Sequence, residues 1–175
     1  MEKSPIHLRK PEKEDASQIA RLMNNRNIWN NLRDFVPHPY QEKDALEFIS
    51  NCQNEDPSVT FAIEYESQLC GVIGLILQKD VFRVSAELGF WIGEPYWGRG
   101  IATAAIKEMV NYGFKTFDLR RMYAGVFEGN IGSMRALEKA GFEKEAVLKN
   151  AIIKNNQILH LHQYAIVGKG IVSRS

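Results

Sequence analysis

Apolar and polar positions along the chain predict a mixed arrangement of strands and helices. Alternating or continuous apolar runs are typical of strands, whereas apolar residues that recur every three or four positions are typical of helices. The strand-like runs cover residues 6–9, 60–65, 70–77, 86–92, 122–127, 142–153 and 158–167. Helical patterns cover residues 12–24 and 41–54, follow Gly100 and follow Asn130. Residues 26–40 and 111–121 are expected to form connections.

The centre of the chain combines an apolar strand, a glycine-rich turn and a helix. Strand 86–92 leads to the turn 97–100 and then to a helix whose apolar stripe begins at Ala102. Glycine has no Cβ, so the backbone at Gly98 and Gly100 can approach a ligand closely. The first N–H groups of a helix have no partner within it, and the positive end of the helix dipole lies there. The turn therefore predicts a site for an anion, most naturally a phosphate or pyrophosphate.

Other interpretations of the glycine turn fit less well. A dinucleotide fingerprint would place glycine or alanine at position 103, which is Thr103, and the unit follows what looks like an antiparallel meander. A P-loop for nucleotide triphosphates needs Gly-Lys-Ser or Gly-Lys-Thr, and no such tripeptide occurs. A turn without a ligand is the default for two glycines alone. A second motif, with Asn130, Ser133 and the helix end at 138–142, favours a ligand.

Both motifs resemble those of the GNAT superfamily of acetyl-coenzyme A-dependent N-acetyltransferases, and most closely the branch that acetylates N-terminal amines of ribosomal proteins. The superfamily's pyrophosphate loop, Gln/Arg-x-x-Gly-x-Gly/Ala, falls on residues 97–102, where Gly100 and Ala102 match. Trp97 departs from that pattern, although Tyr-Trp-Gly-x-Gly is familiar in the ribosomal-protein branch. The second motif, Asn-x-x-Ser/Ala before a helix that ends in Glu-Lys-x-Gly-Phe, falls on residues 130–142. The resemblance extends from about residue 6 to residue 167.

The resemblance implies an α/β (α+β) fold in a single domain, residues 1–175, with a motif core at 86–142 and a frayed tail at 168–175. The sheet is expected to be mixed and mostly antiparallel, with flanking helices and a central parallel pair, 86–92 and 122–127, that splays apart. The pantetheine arm of acetyl-coenzyme A lies in that wedge, where unpaired backbone groups need a partner. The implied coenzyme-binding residues are Phe90, Trp91, Ile92, Trp97, Gly98, Arg99, Gly100, Ile101, Ala102, Thr103, Asn130 and Ser133.

Acetyl transfer to an amine needs a neutral amine, a proton acceptor and stabilisation of an oxyanion. No covalent enzyme intermediate is required, and neither Cys52 nor Cys70 has the setting of a nucleophile. Glu87 is the predicted base, because burial among apolar neighbours would raise its pKa. A structural hydrogen bond is the alternative role for Glu87, and a water can carry the proton. Backbone N–H groups near Phe90 and Trp91 are the predicted oxyanion donors.

The predicted proton donor is Ser133. Many superfamily members carry a tyrosine seven residues after the motif asparagine, but this position is Leu137, which cannot donate a proton. Ser133 is the group that the ribosomal-protein branch offers near the thiolate, with helix capping as the alternative. Asn130 binds the pantetheine arm, caps the same helix, or does both.

The resemblance places the wall of the acceptor pocket in residues 26–54, together with the closing hairpin. The predicted acceptor-binding residues are Trp29, Phe35, His38, Tyr40 and Tyr164. Trp29 and Phe35 are equally consistent with aromatic packing over the core. The histidine pair beside Tyr164 suggests no third ligand, so no metal is expected.

Composition narrows the range of partners that the protein is expected to bind. The chain carries 22 basic and 21 acidic residues and a net charge of +1, so no global charge favours nucleic acid or an anionic membrane. Two cysteines and the lack of an export-type or membrane-spanning apolar run favour a cytoplasmic protein.

The leading hypothesis is an N-acetyltransferase that moves acetyl from acetyl-coenzyme A to a primary amine, the N-terminal amine of a ribosomal or other protein, by direct attack. One alternative acceptor is a small-molecule amine such as a polyamine, an amino acid or an antibiotic. A non-catalytic acyl-coenzyme A-binding module is the alternative of another class, since a fold alone does not fix function. Aromatic residues on the pocket side are compatible with a homodimer.

Overall fold

The computed structural model describes residues 6–168, which build one seven-stranded sheet. The strand order is β1-β2-β3-β4-β5-β7-β6, and every pair except β4–β5 is antiparallel. The strands are β1 (Ile6–Arg9), β2 (Thr60–Tyr65), β3 (Gln68–Leu77), β4 (Ser85–Ile92), β5 (Arg121–Phe127), β6 (Glu143–Lys154) and β7 (Gln157–Val167). The predicted mixed, mostly antiparallel sheet is confirmed.

Helices cover both faces of this sheet. They are α1 (Ala16–Met23), α2 (Arg26–Trp29), α3 (Glu42–Gln53), α4 (Ile101–Thr116) and α5 (Ile131–Lys139). Successive residues of a strand point to opposite faces. Ala86 and Leu88 of β4 accordingly pack with α4 and α5, while Trp91 packs with α1, α2 and α3. Apolar side chains of β4 thus serve two separate cores.

The parallel pair at the centre of the sheet is short. β4 and β5 pair only over Ser85–Glu87 and Arg121–Tyr123. Beyond Glu87 and Tyr123 each strand continues, but β4 remains paired only with β3 and β5 only with β7. The two strands therefore separate into a wedge whose edges carry backbone groups without a partner strand, as predicted.

Two connections differ from the predicted elements. The segment after Asn24 contains the short helix α2, which begins because the Asn25 side chain accepts a 2.8 Å hydrogen bond from the N–H of Asn27. Helix α4 continues to Thr116, although residues 111–121 were also expected to form a connection. The predicted apolar stripe reaches Gly113, which packs against Met122 of β5.

The predicted ends of the domain lie almost wholly outside the described residues. Of the tail expected at 168–175, only Gly168 is described, and its N–H donates to the carbonyl of Arg120 at 2.9 Å. Within residues 6–168, every helix is too short or too polar to cross a membrane.

Candidate active site

A cavity of about 410 Å³ opens between the glycine turn, the diverging end of β4, α2 and α5. All twelve residues predicted to bind the coenzyme line it. Its further lining residues are Asn27, Ile28, Asn31, Leu32, Tyr96, Gly132, Arg135, Ala136 and Lys139. The structure thus joins the two predicted motifs, more than 25 residues apart in sequence, in one site that also reaches α2.

The glycine turn has the geometry of an anion cradle. Gly98 and Gly100 have φ angles of +74° and +76°, which residues with a Cβ rarely adopt, and a Cβ at either position would meet no atom within 4 Å. Gly100 is the N-cap of α4 and offers no side-chain acceptor to the first N–H groups of that helix. These groups face a lined cavity with open space before it, so the residues present fit a pyrophosphate.

Trp97, which departs from the family motif, fastens the turn to the sheet. Its indole Nε1 donates a 2.7 Å hydrogen bond to the carbonyl of Ile92 at the end of β4. The indole is about half exposed, so its hydrogen bond rather than its burial fixes it. Trp97 therefore holds the cradle against the diverging strand.

Two cations in the cavity lining escaped the sequence analysis. Arg135 and Lys139 lie four residues apart on α5 and line the same cavity as Arg99. Residues four apart share one face of a helix, so this spacing was a usable signal. Three cations around a cavity with a helix N-terminus favour a ligand that carries several negative charges.

The second motif caps α5 and lines the cavity. Asn130 is the N-cap of α5, and its Oδ1 accepts a 3.3 Å hydrogen bond from the N–H of Ser133. Both residues also line the cavity. Leu137 is fully buried in the core beneath α5 and does not line the cavity.

Glu87 lies at the last parallel pair, just before β4 and β5 diverge. The expectation of an apolar surrounding is wrong, because Ala86 and Leu88 point to the opposite face of the sheet. Instead, Nη2 of Arg33 lies 2.5 Å from Oε1 of Glu87, whose side chain is 22% exposed. Glu87 is not among the residues that line the cavity, so the structure presents it as an ion-paired carboxylate beside the wedge.

Tyr123 was missed by the sequence analysis. It is the register partner of Glu87 on β5 and therefore shares its face of the sheet. Burial, followed by the negative charge of Glu87, raises the pKa of Tyr123, while Arg33 and Arg121 act in the opposite direction. The signal for this tyrosine lay in strand pairing, which a single sequence does not reveal.

The five predicted acceptor-binding residues lie outside the cavity lining. Phe35 is 81% exposed on the surface, and Tyr40 packs against the core formed by α1, α2 and α3. Tyr164 is fully buried, because its position on β7 faces the core beneath α5. Its hydroxyl lies 3.1 Å from Oε1 of Glu138, and burial raises the pKa of Tyr164 to about 12. The structure thus places Tyr164 in the core, away from the cavity in which the acceptor was expected to bind.

Trp29 and His38 pack together in the segment that follows α2. Their rings lie 5.3 Å apart, and Nε1 of Trp29 donates to the carbonyl of Val36 at 2.8 Å. Nζ of Lys154 lies 3.4 Å above the Trp29 ring, a cation–π contact that joins the tip of the β6–β7 hairpin to this segment. From this part of the chain, Asn27, Ile28, Asn31 and Leu32 line the cavity.

Both thiols lie away from the cavity lining. Cys52 and Cys70 are buried, and this burial raises the pKa of each to about 11. A protonated, buried thiol is a poor nucleophile, which agrees with a mechanism without an acylated cysteine.

The sequence and the fold match those of known acetyltransferases. A family model described as "Acetyltransferase (GNAT) domain" matches residues 6–143. "Probable N-acetyltransferase YjcK" of Bacillus subtilis (strain 168) is 30% identical over 166 residues, which cover 90% of this chain and 91% of that protein.

Solved structures show the same similarity. Spermidine N-acetyltransferase from Vibrio cholerae, in complex with CoA and spermine, has a TM-score of 0.77 at 28% identity and covers 94% of this chain and 96% of its own. Ribosomal-protein-S5-alanine acetyltransferase from Vibrio fischeri has a TM-score of 0.82 at 18% identity, with coverage of 97% and 96%. At that identity the second likeness concerns the fold alone.

Proposed function

Because the chain belongs to the acetyltransferase (GNAT) family and is an acetyl-coenzyme A-dependent N-acetyltransferase, we propose that its acceptor is the N-terminal amine of a protein, as in the ribosomal-protein branch. The observation that carries this proposal is that two carboxylates of the segment after α2 and of β4 are already paired with cations. Arg33 already pairs with Glu87, and Lys154 with Asp34 at 2.7 Å. A polyamine with several positive charges would find both carboxylates occupied.

The neutral groups at this end suit a peptide. Asn27 and Asn31 line the cavity beside Ile28 and Leu32. The side-chain amide of Asn31 donates one hydrogen bond to the backbone carbonyl of Asn27 at 3.0 Å. Its side-chain oxygen and its second N–H therefore remain available to bind a peptide. A protein N-terminus carries one amine followed by backbone amides and side chains, which such a wall of amide and apolar groups can bind.

The coenzyme would be held by the turn and the two helices that meet there. Free N–H groups at the start of α4 bind the pyrophosphate, and the cations Arg99, Arg135 and Lys139 bind further negative charge. The open edge of β4 from Leu88 onward offers hydrogen bonds to amides of the ligand. Bound acetyl-coenzyme A supplies the acetyl group as a thioester, whose C–S bond breaks as the C–N bond to the amine forms.

Three parts of the chain then act on the acceptor and the acetyl oxygen. Backbone N–H groups at Phe90 and Trp91, in the unpaired part of β4, stabilise negative charge on that oxygen. Glu87 receives the amine proton through a water, because the carboxylate lies beside the cavity rather than in its lining. The hydroxyl of Ser133 donates a proton or a hydrogen bond to the departing sulfur.

A polyamine is the second candidate acceptor. Glu94 is an exposed carboxylate next to Asn27, and hydrogen bonds from Asn25 and Asn27 lower its pKa, so it stays ionised. The relative from Vibrio cholerae named for spermidine is 28% identical over 174 residues. Both observations favour a cationic small molecule at the outer edge of the cavity.

Purified protein incubated with acetyl-coenzyme A and a panel of acceptors tests the proposal. The panel contains peptides that begin with alanine or serine, the same peptides with blocked N-termini, spermidine and free amino acids. Thiol release and the mass of the product report transfer. We expect transfer to the free N-terminal peptides at the highest kcat/KM. Transfer to spermidine alone would establish the second candidate, and coenzyme binding without any transfer would indicate a binding module.

A further inference from the structure

Helix α5 turns one face toward the cavity, and the residues on that face are small at its start and cationic further along. Gly132, Arg135, Ala136 and Lys139 line the cavity, at the spacing of three and four residues that defines one side of a helix. Leu137, on another side of α5, is buried in the core. The two cations thus form a charged strip that runs from the middle of α5 to its last residue.

Ion pairing within the protein does not explain this strip. Within residues 6–168, neither Arg135 nor Lys139 is paired with a carboxylate. Glu138, which is next to Lys139 in sequence, instead accepts a 3.1 Å hydrogen bond at Oε1 from the hydroxyl of Tyr164. Like charges four residues apart on a helix repel each other, so the strip weakens α5 in the absence of an anion. The cationic face therefore suits a negatively charged ligand.

The α5 strip is separate from the cradle at the glycine turn. The cradle consists of backbone N–H groups that follow Gly100 at the start of α4, whereas the strip consists of side chains of α5. Arg99 belongs to the turn itself, where its guanidinium carbon lies 5.9 Å from the centre of the Tyr96 ring. The turn and Arg99 can hold a pyrophosphate, which leaves Arg135 and Lys139 for a second anionic group.

Coenzyme A carries a second anionic group of this kind. Its pyrophosphate also occurs in adenine dinucleotides and in dephospho-coenzyme A, whereas the phosphate monoester on the ribose 3′ oxygen sets it apart from them. A phosphate monoester bears about −1.5 to −2 charges at pH 7 and offers three strong hydrogen-bond acceptors. A guanidinium can bind two of these oxygens at once, and an ammonium adds a point charge beside them.

We infer that Arg135 and Lys139 bind the 3′-phosphate of coenzyme A, and that this contact makes the site select coenzyme A over other nucleotides with a pyrophosphate. The inference rests on the placement of the coenzyme under the proposed function. The glycine turn cannot make this selection, because the N–H groups at a helix start bind phosphates in general. The positions agree with the order of groups in the coenzyme. Ser133 at the start of α5 serves the thioester end, and Lys139 lies about 9 Å further along the helix axis.

Calorimetry with coenzyme A and dephospho-coenzyme A, which differ only in the 3′-phosphate, tests this inference without turnover. We expect the native protein to bind coenzyme A about ten- to a hundredfold more tightly, the effect typical of hydrogen bonds to a charged group. In the double variant Arg135→Gln/Lys139→Gln this preference should largely disappear, while the affinity for dephospho-coenzyme A stays close to native. Arg135→Lys keeps the charge but loses the two-pronged contact, so it should retain part of the preference.

Two control variants separate this contact from general effects of charge. Arg83→Gln/Lys115→Gln removes two exposed cations outside the cavity lining, and Lys115, like Lys139, lies in the last turn of its helix. This variant should keep the native preference. Arg99→Gln removes a cation beside the cradle, so it should weaken the binding of both ligands by similar factors and leave the preference between them unchanged.

Equal binding of the two ligands by the native protein would overturn the inference, and so would a preference that persists in Arg135→Gln/Lys139→Gln. An equal loss of affinity for both ligands in that variant would also overturn it, and would assign the two cations to the pyrophosphate. Failure of the proposed placement has a different signature, because Gly100→Val would then leave the affinity for both ligands unchanged. The choice of acceptor amine does not affect these outcomes, since the measurement contains no acceptor.

Discussion

Glu87 and its partner show how one residue's surroundings alter a proposed mechanism. The sequence predicts an apolar setting for its carboxylate, but the structure gives it Arg33 as an ion-pair partner. Because the carboxylate also lies outside the cavity lining, the proposed transfer of the amine proton to Glu87 runs through a water.

Replacing Glu87 with glutamine should lower kcat about 10²–10⁴-fold near neutral pH, the range typical for loss of a general base. The defect should shrink as the pH rises, because more of the acceptor amine is then already neutral. The affinity for acetyl-coenzyme A, measured by calorimetry, should not change, since Glu87 lies outside the cavity lining. A native rate across the pH range would remove Glu87 from the mechanism.

Ser133 and Asn130 can be separated because only one of them caps α5 with its side chain. Asn130→Ala removes the acceptor of the Ser133 N–H and should cost about 1 kcal/mol of unfolding free energy. Ser133→Ala leaves that bond intact, so it should lower kcat with little loss of stability. Urea unfolding and steady-state kinetics measure the two effects. A Ser133→Ala enzyme that loses stability but not rate would make the serine structural.

At the scale of elements, the glycine turn and α4 act together. The turn brings two left-handed glycines to the start of a 16-residue helix, so the dipole and the free N–H groups point into the space that the missing Cβ atoms leave open. Trp97 and Ile92 fix this unit to β4. The cradle is thus tied to the sheet by a hydrogen bond at its first residue.

Gly100→Val should weaken acetyl-coenzyme A binding at least tenfold, because its side chain enters the space before the helix and its backbone strains at φ +76°. Gly141→Val is the control, since Gly141 also has a left-handed φ of +99° but lies outside the cavity lining. Both variants should lose stability by denaturation, and only Gly100→Val should lose affinity by calorimetry. Equal affinities in two folded variants would contradict the placement of the pyrophosphate.

The hairpin β6–β7 shows what lies beyond sequence-based prediction at this scale. Its strands and its Asn155–Asn156 turn follow from alternation and from residues that tolerate positive φ, here 51° and 60°. Its docking does not, because Lys154 binds residues more than 100 positions earlier in the chain. Lysine side chains are usually exposed, so nothing in the neighbouring sequence indicates that Lys154 is only 4% exposed.

For the whole molecule, the residues around the glycine turn that line the cavity were predictable from sequence, whereas the surroundings of Glu87 were not. The glycine turn and the Asn130 motif are local in sequence, and every residue predicted from them lines the cavity. The surroundings of Glu87 depend on a tertiary contact, its ion pair with Arg33, which lies 54 residues away in sequence. The sequence placed Tyr164 in the acceptor pocket, but the structure buries it in the core. Successive residues of a strand face opposite sides of the sheet, and the sequence alone does not show which side of β7 is buried.

Acetyl-coenzyme A should stabilise the native protein as a whole, because a ligand that binds only the folded state raises the unfolding free energy. At a concentration 100 times its Kd the increase is about 2.7 kcal/mol. Denaturant unfolding with and without the coenzyme measures this, and Gly100→Val should show a smaller increase at the same concentration. No increase for the native chain would mean that the cavity does not bind the coenzyme.

The wedge between β4 and β5 also bears on whether a second chain can add a strand to this sheet. An unpaired strand at the rim of a sheet is a template on which another chain can add a strand and begin to aggregate. Here the unpaired lengths of β4 and β5 lie in the middle of the sheet, between strands that are themselves paired on their other sides. A gap that narrows to a closed end admits a slender chain such as a pantetheine arm more readily than a second polypeptide with side chains. The same divergence thus leaves backbone groups free for a small ligand while sterically excluding a β-strand from a neighbouring molecule.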